Sequence, residues 1–134
     1  MYKAAPSVLS VGNCAFDHQN ISRLLVEQFE ADVHAVATAD LALQALRDGR
    51  FDLILVNRLF DADGVSGLDF IKRLQNHDET RGTAVMLLSN YPEAQEAAIA
   101  LGARPGFGKG SLESQQTREN LAAVLTRSVL ADPK

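Results

Sequence analysis

A run of apolar residues at 53–56, followed at once by the amide Asn57, constrains the fold of this chain more than any other feature. Because the run has no polar face, it predicts a parallel strand that is buried on both sides of a sheet. A loop follows, and a helical pattern then begins near Ser66. Open α/β sheets bind ligands at the carboxyl ends of such strands, so Asn57 is a candidate site residue. An amide there is a far poorer nucleophile than an aspartate and a weaker metal ligand.

Short apolar runs and helical patterns alternate along the rest of the chain. The predicted strands cover residues 7–11, 33–37, 53–56, 84–88 and 103–108. The predicted helices cover residues 17–30, 40–47, a segment from near 66, residues 93–101 and a last segment from 112 to 129 that is interrupted near 114–117. Gly49 is expected to end the second helix, and Pro92 is expected in the first turn of the fourth. These five strand–helix units predict a parallel five-stranded sheet with helices on both faces.

Length and composition indicate one compact domain over residues 1–134. With 134 residues and 46% hydrophobic content, the chain can form a substantial core but is short for two ordinary domains. It has no apolar stretch of the roughly 20 residues that a membrane helix needs, and its first residues lack the apolar core of a signal peptide. The lone Cys14 cannot form an internal disulfide. We therefore expect a cytoplasmic protein that does not bind membranes.

The charge pattern argues against nucleic-acid binding. Thirteen Lys and Arg residues stand against seventeen Asp and Glu residues, and the net charge is −4. The sequence contains no basic cluster and no basic stretch rich in aromatic residues, which are the usual electrostatic signals of such binding. No nucleic-acid partner is expected.

Several stretches, in this order and spacing, resemble the receiver domains of two-component response regulators. They are residues 51–56, 67–71, 87–89 and 101–103, followed by Lys109. The resemblance extends from about Val8 to Val129. It implies a flavodoxin-like, doubly wound αβα fold of three layers, with strand order 2-1-3-4-5 and five helices.

The resemblance transfers only part of the receiver site to this chain. Receivers use two acidic residues after the first strand to bind magnesium, and the matching positions here are Gly12 and Asn13. The phosphoacceptor aspartate is matched by Asn57. The hydroxyl residue that ends the fourth strand is kept as Ser89, and the lysine that ends the fifth is kept as Lys109. The residues that would hold a phosphoryl group are present, whereas the three carboxylates are replaced.

These replacements predict that phosphotransfer at position 57 fails and that Mg²⁺ binding is weak or absent. We therefore expect a non-enzymatic protein with no cofactor and no metal site. Lys109, without its anionic partners, is expected to donate to the Asn57 amide oxygen or to a nearby carbonyl. Asn57, Ser89 and Lys109 would then form a structural hydrogen-bond network. Alternatively, the arrangement mimics one signalling state constitutively.

The switch position of receivers also differs in this chain. The switch aromatic, normally three residues before the lysine, falls on Gly106, and Phe107 lies one place later. The receiver switch that links the hydroxyl residue to the aromatic residue is therefore not expected to operate in its usual form. The segment from Gly106 to Gly110 is rich in glycine but lacks the spacing of a phosphate-binding loop.

The loop after the third strand carries two acids, Asp61 and Asp63, in an Asp-x-Asp-Gly sequence. Asp and Gly are ordinary turn residues, so a solvated turn is one interpretation. The other is a relocated phosphoacceptor or metal site close to the altered pocket. The later ligands of a calcium-binding EF-hand loop do not follow.

The loop after the first strand contains Cys14 and Asp17. Cys14 is interpreted either as a small, half-buried residue or as a redox-reactive thiol near a helix N-terminus. Asp17 is expected as a helix cap or first-turn acid rather than as a metal ligand. His18, His34 and His77 lie in different elements without ligand-like spacing, so we expect them at the surface or at edges.

Three functional hypotheses follow from these residues. The first is a stand-alone receiver-like protein in phosphorelay signalling that acts by protein contact, through the face of the fourth helix, fifth strand and fifth helix that the resemblance implies. Its partner would be a histidine kinase, a phosphotransfer protein, another receiver or a second copy of itself. The second hypothesis places phosphoacceptor or metal chemistry at Asp61 or Asp63. The third is a small-ligand or redox sensor that uses Cys14.

Overall fold

The computed structural model describes residues 5–125 and has one five-stranded sheet in the order β2-β1-β3-β4-β5. Every strand pairs in parallel with its neighbours. The predicted fold class and strand order are confirmed. Val129, which the sequence placed in the last helix, lies outside the described residues.

The elements follow the predicted alternation closely. The strands are β1 (Ser7–Val11), β2 (Asp32–Val36), β3 (Leu53–Asn57), β4 (Ala84–Leu88) and β5 (Arg104–Phe107). The helices are α1 (Ala15–Phe29), α2 (Ala39–Asp48), α3 (Gly67–Gln75), α4 (Pro92–Ala100) and α5 (Gln115–Leu125). The predicted interruption near 114–117 falls just after a short 3-10 helix, Lys109–Ser111, where α5 begins.

Local side-chain contacts explain where several helices start and stop. Thr38 accepts a hydrogen bond from the backbone of Leu41 at the start of α2, and Ser66 does the same for α3 with Asp69. Pro92 is the first residue of α4, as predicted. Gly49 follows α2 with φ at −156°, so it ends that helix in an extended rather than a left-handed conformation.

Alternate residues of the central strand β3 face two separate apolar layers. Ile54 and Val56 pack in a cluster with α2, α3 and α4, whereas Leu53 and Leu55 pack with α1 and α5. All four side chains are 0% exposed. The interpretation of residues 53–56 as a strand buried on both faces is correct, and it fixes the position of Asn57 at the carboxyl edge of the sheet.

Within residues 5–125, no helix combines the length and the apolar character that crossing a membrane requires.

Candidate functional site

A cavity of about 350 Å³ opens at the carboxyl ends of the central strands, beside Asn57. It is lined by six of the residues singled out in the sequence: Cys14, Asp17, Asn57, Asp61, Ser89 and Lys109. Gly12, Asn13 and Asp63 do not line it. A larger cavity of about 750 Å³ at the opposite edge of the sheet, lined by Arg50, Arg81 and Arg104 among others, contains none of the predicted site residues.

Asn57 is the last residue of β3 and is buried, with 7% of its surface exposed. Its side-chain Nδ2 donates to the carbonyl oxygen of Gly12 at 2.9 Å and to the carbonyl oxygen of Leu59 at 2.7 Å. Both amide hydrogens therefore connect the loop after β1 to the loop after β3. A carboxylate at this position has no hydrogen to donate to either carbonyl.

The side chain of Phe60 fills the space beside Gly12, where the resemblance places an acidic residue. Gly12 has a φ of +83°, which only glycine adopts readily. A Cβ atom at this position would lie 2.4 Å from the Phe60 ring atom Cδ1, and Phe60 is 2% exposed. Core packing by Phe60 thus occupies the place where the resemblance implies an acidic side chain. Sequence reasoning missed Phe60, because its contact with Gly12 depends on how two distant loops meet.

Asn13 matches the second acidic residue that the resemblance implies, but its side chain hydrogen-bonds within β1 and the loop that follows it. Its Nδ2 donates to the hydroxyl oxygen of the buried Ser10 at 2.9 Å. Its Oδ1 is buried and has no hydrogen-bond partner among residues 5–125. Asn13 therefore supports the end of β1 rather than the cavity.

Lys109 pairs with Asp17, and the expectation that it donates to Asn57 or a carbonyl is wrong. The Lys109 Nζ lies 2.8 Å from Asp17 Oδ2, and both side chains are about three-quarters buried. Asp17 lies in the first turn of α1, as predicted, where a negative charge is favourable. A carboxylate from α1 thus supplies the anionic partner that position 57 lacks.

The hydrogen bond from Lys109 holds the pKa of the Asp17 carboxyl below its ordinary value. Burial acts in the opposite direction, while a hydrogen bond from the Cys14 thiol and the positive charge of Lys109 add to the lowering. Asp17 is therefore ionised at neutral pH.

The expected network of Asn57, Ser89 and Lys109 is not present, since each makes a different local contact. The Ser89 hydroxyl oxygen accepts a hydrogen bond from the backbone N–H of Tyr91 at 3.1 Å. It therefore holds the turn that leads into α4. The three side chains share the cavity without bonding to one another.

Arg58 and Tyr91 are among the cavity-lining residues that the sequence did not single out. The Arg58 guanidinium lies 4.8 Å from the centre of the Tyr91 ring, within the range of a cation–π interaction. The contact joins the loop after β3 to the turn before α4. No local motif signals it, because the two residues are 33 positions apart in sequence.

Asp61 and Asp63 have different surroundings, although both are exposed. Asp61 lines the cavity, and its backbone N–H donates to the Gly12 carbonyl at 2.9 Å. The Asp63 carboxylate accepts from the backbone of Val65 at 3.1 Å, which is a local turn contact. Residues 5–125 contain no group of three or more His, Cys, Asp or Glu side chains placed to hold a metal ion.

Cys14 is half-buried immediately before α1 and lines the cavity, but its side chain does not cap the helix. The three histidines lie away from the cavity. His34, on the edge strand β2, and His77 are exposed, as expected. His18 is half-buried in α1 instead, and its Nδ1 has no hydrogen-bond partner among the described residues.

The two residues at the switch position lie in β5. A Cβ atom at Gly106 would lie 2.2 Å from the Leu87 carbonyl oxygen, so the backbone leaves no room for a side chain there. Phe107 is 5% exposed and belongs to the apolar layer with α1 and α5. The Phe107 ring therefore packs in the core in this structure.

No family model matches this sequence, and no curated protein matches it. Solved structures do match. A protein assigned as a response regulator from Chloroflexus aurantiacus is 20% identical, with a TM-score of 0.79 over 92% of this chain and 100% of that one. A response regulator from Thermotoga maritima is 21% identical, with a TM-score of 0.73 over 92% and 99%. A chemotaxis response regulator of Vibrio cholerae is 23% identical, with a TM-score of 0.67 over 93% and 99%. The chain therefore has the flavodoxin-like fold that these response-regulator receiver domains share.

Proposed function

We propose that this protein is a receiver-like component of two-component signalling that acts by protein contact and is not phosphorylated at position 57. The observation that carries the proposal is the geometry of Asn57, whose Nδ2 donates to the carbonyls of Gly12 and Leu59. This side chain supplies no anionic oxygen as a nucleophile. It performs a structural task that the receiver aspartate, as an acceptor only, would not perform.

The residues near Asn57 do not fit the magnesium ion that receivers use. Magnesium prefers carboxylates, together with water and phosphate oxygens, in an octahedral arrangement. Here the Gly12 carbonyl already accepts from Asn57 and from the Asp61 backbone, while the Asp17 carboxylate is engaged by Lys109. Of the carboxylates that line the cavity, only that of Asp61 is not engaged by Lys109. We therefore assign no step that passes through a metal ion, and no enzymatic activity.

A contact function requires an accessible surface, and α4 offers one. Tyr91, just before α4, and Ile99, near its end, are 51% and 45% exposed. Aromatic residues are enriched in protein interfaces. We propose that the face formed by α4, β5 and α5 contacts a histidine kinase, a phosphotransfer protein, another receiver or a second copy of this chain.

The proposal is tested by intact mass after incubation with a small-molecule phosphodonor, with and without Mg²⁺, followed by peptide mapping. An ordinary receiver in the same buffer controls for an active donor. We expect no phosphoryl gain in the wild type. We also expect none in Asn57→Asp, because Asn13 and Gly12 still supply no carboxylate. A Mg²⁺-dependent gain at position 57 in that single variant would overturn our account of the site.

A second candidate function is favoured by the position of Asp61. Asp61 lines the same cavity as Ser89 and Lys109, and unlike Asp17 it is not engaged by Lys109, so we propose it as the acid for a relocated phosphoacceptor. The same mass measurement decides between the two candidates. A gain of one phosphoryl group that maps to the 61–63 loop and is lost in Asp61→Ala would support the relocated site. Retention of the gain in Asp61→Ala, with loss in Asp63→Ala, would place it on the turn residue instead.

A further inference from the structure

We propose that the Gln95 side chain is a clasp that holds α4, the end of β4 and β5 in one fixed arrangement. The consequence for signalling rests on the proposed function: the α4–β5 face would be presented to partners independently of what occupies the polar cavity. The clasp itself is argued from hydrogen bonds and steric contacts, and it is tested separately from phosphorylation.

The clasp lies where the pairing of β4 with β5 is irregular. Met86 is paired with Arg104, and Leu88 is paired with Phe107, so two residues of β5 stand opposite the single Leu87. Those two residues are Pro105 and Gly106. Proline has no backbone N–H to donate. The Gly106 N–H, in this irregular stretch, therefore needs a partner from outside the strand ladder.

Gln95, in the first turn of α4, bonds to the Leu87 carbonyl and to the Gly106 N–H with one carboxamide. Its Nε2 donates to the Leu87 carbonyl at 2.9 Å, and its Oε1 accepts from the Gly106 N–H at 3.1 Å. The same Nε2 lies 3.2 Å from the carbonyl oxygen of Ser89. A carboxamide can donate and accept at once, whereas a carboxylate can only accept.

Gly106 fits this clasp because it has no side chain. A Cβ atom there would lie 2.2 Å from the Leu87 oxygen and 3.1 Å from Gln95 Oε1. On the other side, the Asn120 side chain of α5 donates to the Gly106 carbonyl at 3.0 Å. Gly106 is thus bonded through its N–H to α4 and through its carbonyl to α5.

The clasp is continuous with the cavity through Ser89. The Ser89 N–H donates to the Phe107 carbonyl at 3.0 Å, and its carbonyl oxygen lies within reach of Gln95. Its hydroxyl oxygen accepts from Tyr91. A displacement of Ser89 toward an occupant of the cavity would therefore strain contacts to β5 and to α4. We infer that the face carrying Tyr91 and Ile99 stays fixed as long as the Gln95 bonds persist.

The first test uses the unmodified protein, so it does not depend on whether a variant folds. NMR hydrogen exchange compares the exchange rate of the Gln95 side-chain amide protons with that of the same protons in Gln44, which is exposed on α2. We expect exchange at Gln95 to be at least about tenfold slower, as for a hydrogen-bonded amide. Equal rates at the two side chains would overturn the clasp.

The second test removes the carboxamide. Gln95→Met keeps the length and apolar stem, and Gln44→Met is the matched control. We expect the Gly106 backbone N–H to exchange about tenfold faster in Gln95→Met, with no change in the control. Unchanged exchange at Gly106 in a folded Gln95→Met protein would refute the proposal. If that variant does not fold, the comparison of Gln95 with Gln44 in the wild type decides the matter.

These outcomes are distinct from failure of the proposed function. A Mg²⁺-dependent phosphoryl gain at Asp61 would change the signalling role, yet it would leave slow exchange at Gln95 in place. Fast exchange at Gln95 would refute the clasp. It would not affect the proposal that position 57 is not phosphorylated.

Discussion

The centre of the sheet and its carboxyl edge are held together by different kinds of interaction. In β3, residues 53–56 pair through their backbones with β1 and β4, and their side chains are 0% exposed in two apolar layers. One residue later, at Asn57, side-chain bonds to loop carbonyls take over. The apolar layers around β3 and the loops at its carboxyl edge are therefore stabilised largely by different side chains. The resemblance to receivers implies carboxylates at three positions of this edge; here those positions hold Gly12, Asn13 and Asn57, and the sheet keeps the order β2-β1-β3-β4-β5.

The largest expected effect lies in the central strand. Leu55→Ala removes a fully buried side chain from the layer that packs on α1 and α5. Lost transfer free energy and the resulting cavity should lower the free energy of unfolding by about 2–5 kcal/mol. Urea denaturation measures the change.

The matched control for Leu55→Ala is Leu41→Ala, since Leu41 is 49% exposed on α2. Leu41→Ala should lower the free energy of unfolding by well under half as much as Leu55→Ala does. Similar losses at the two positions would contradict the contrast between the buried centre and the surface.

The centre could be predicted from the sequence because its determinants are local. The apolar run at 53–56, the proline at the start of α4 and the alternation of strands with helices each carry a signal within a few residues. Strand order needed more than these signals, and it followed from the resemblance to receivers.

The edge could be predicted only as a set of positions. Six of the candidate residues line one cavity, whereas Gly12 and Asn13 do not, and the sequence did not indicate the partners of any of them. Lys109 and Asp17 are 92 positions apart, and Phe60 meets Gly12 through two loops. Gln95 acts across a strand irregularity that no motif records. Such contacts depend on the assembled backbone.

At the edge, the largest effect is expected at Asn57. Asn57→Asp keeps the shape but replaces the donating nitrogen with an oxygen that faces the carbonyls of Gly12 and Leu59. Loss of two buried donors should lower the free energy of unfolding by about 1–3 kcal/mol at neutral pH. The measurement is again urea denaturation.

The control for this change is Asn90→Asp. Asn90 is exposed, and its Oδ1 accepts from the Gly110 N–H, a contact that a carboxylate retains. Little change is therefore expected at position 90. If Asn57→Asp were as stable as the wild type, the amide donations would not be what holds the two loops together.

A smaller effect is expected from the Asp17–Lys109 pair, which is only partly buried. Asp17→Asn should lower the free energy of unfolding by about 0.2–1 kcal/mol at neutral pH, the range for partly exposed ion pairs. Because the pKa of Asp17 is lowered in the folded protein, this contribution is present above the unfolded value of about 3.9. It is lost as the pH falls through the folded pKa.

The pH series therefore provides the decisive comparison for the Asp17–Lys109 pair. The stability difference between wild type and Asp17→Asn should shrink toward zero in acid. Asp40→Asn, at an exposed first-turn aspartate of α2, controls for the general interaction of such an acid with a helix end. A difference that is constant with pH would show that the ionised pair is not its source.

The smallest effect is expected in the loop after β3, where the edge meets solvent. Asp63→Ala removes a turn contact to Val65, and Asp61→Ala leaves the backbone donation to Gly12 unchanged. Each should change the free energy of unfolding by less than about 0.5 kcal/mol, because both side chains are exposed. Thermal unfolding with and without millimolar Mg²⁺ adds a second readout, since an ion that binds the folded state raises its stability. A Mg²⁺-dependent stabilisation that Asp61→Ala abolishes would mean that this edge binds an ion even though Asp17 is engaged by Lys109. The edge would then have a ligand-binding role at Asp61, and not only the role of holding the two loops together.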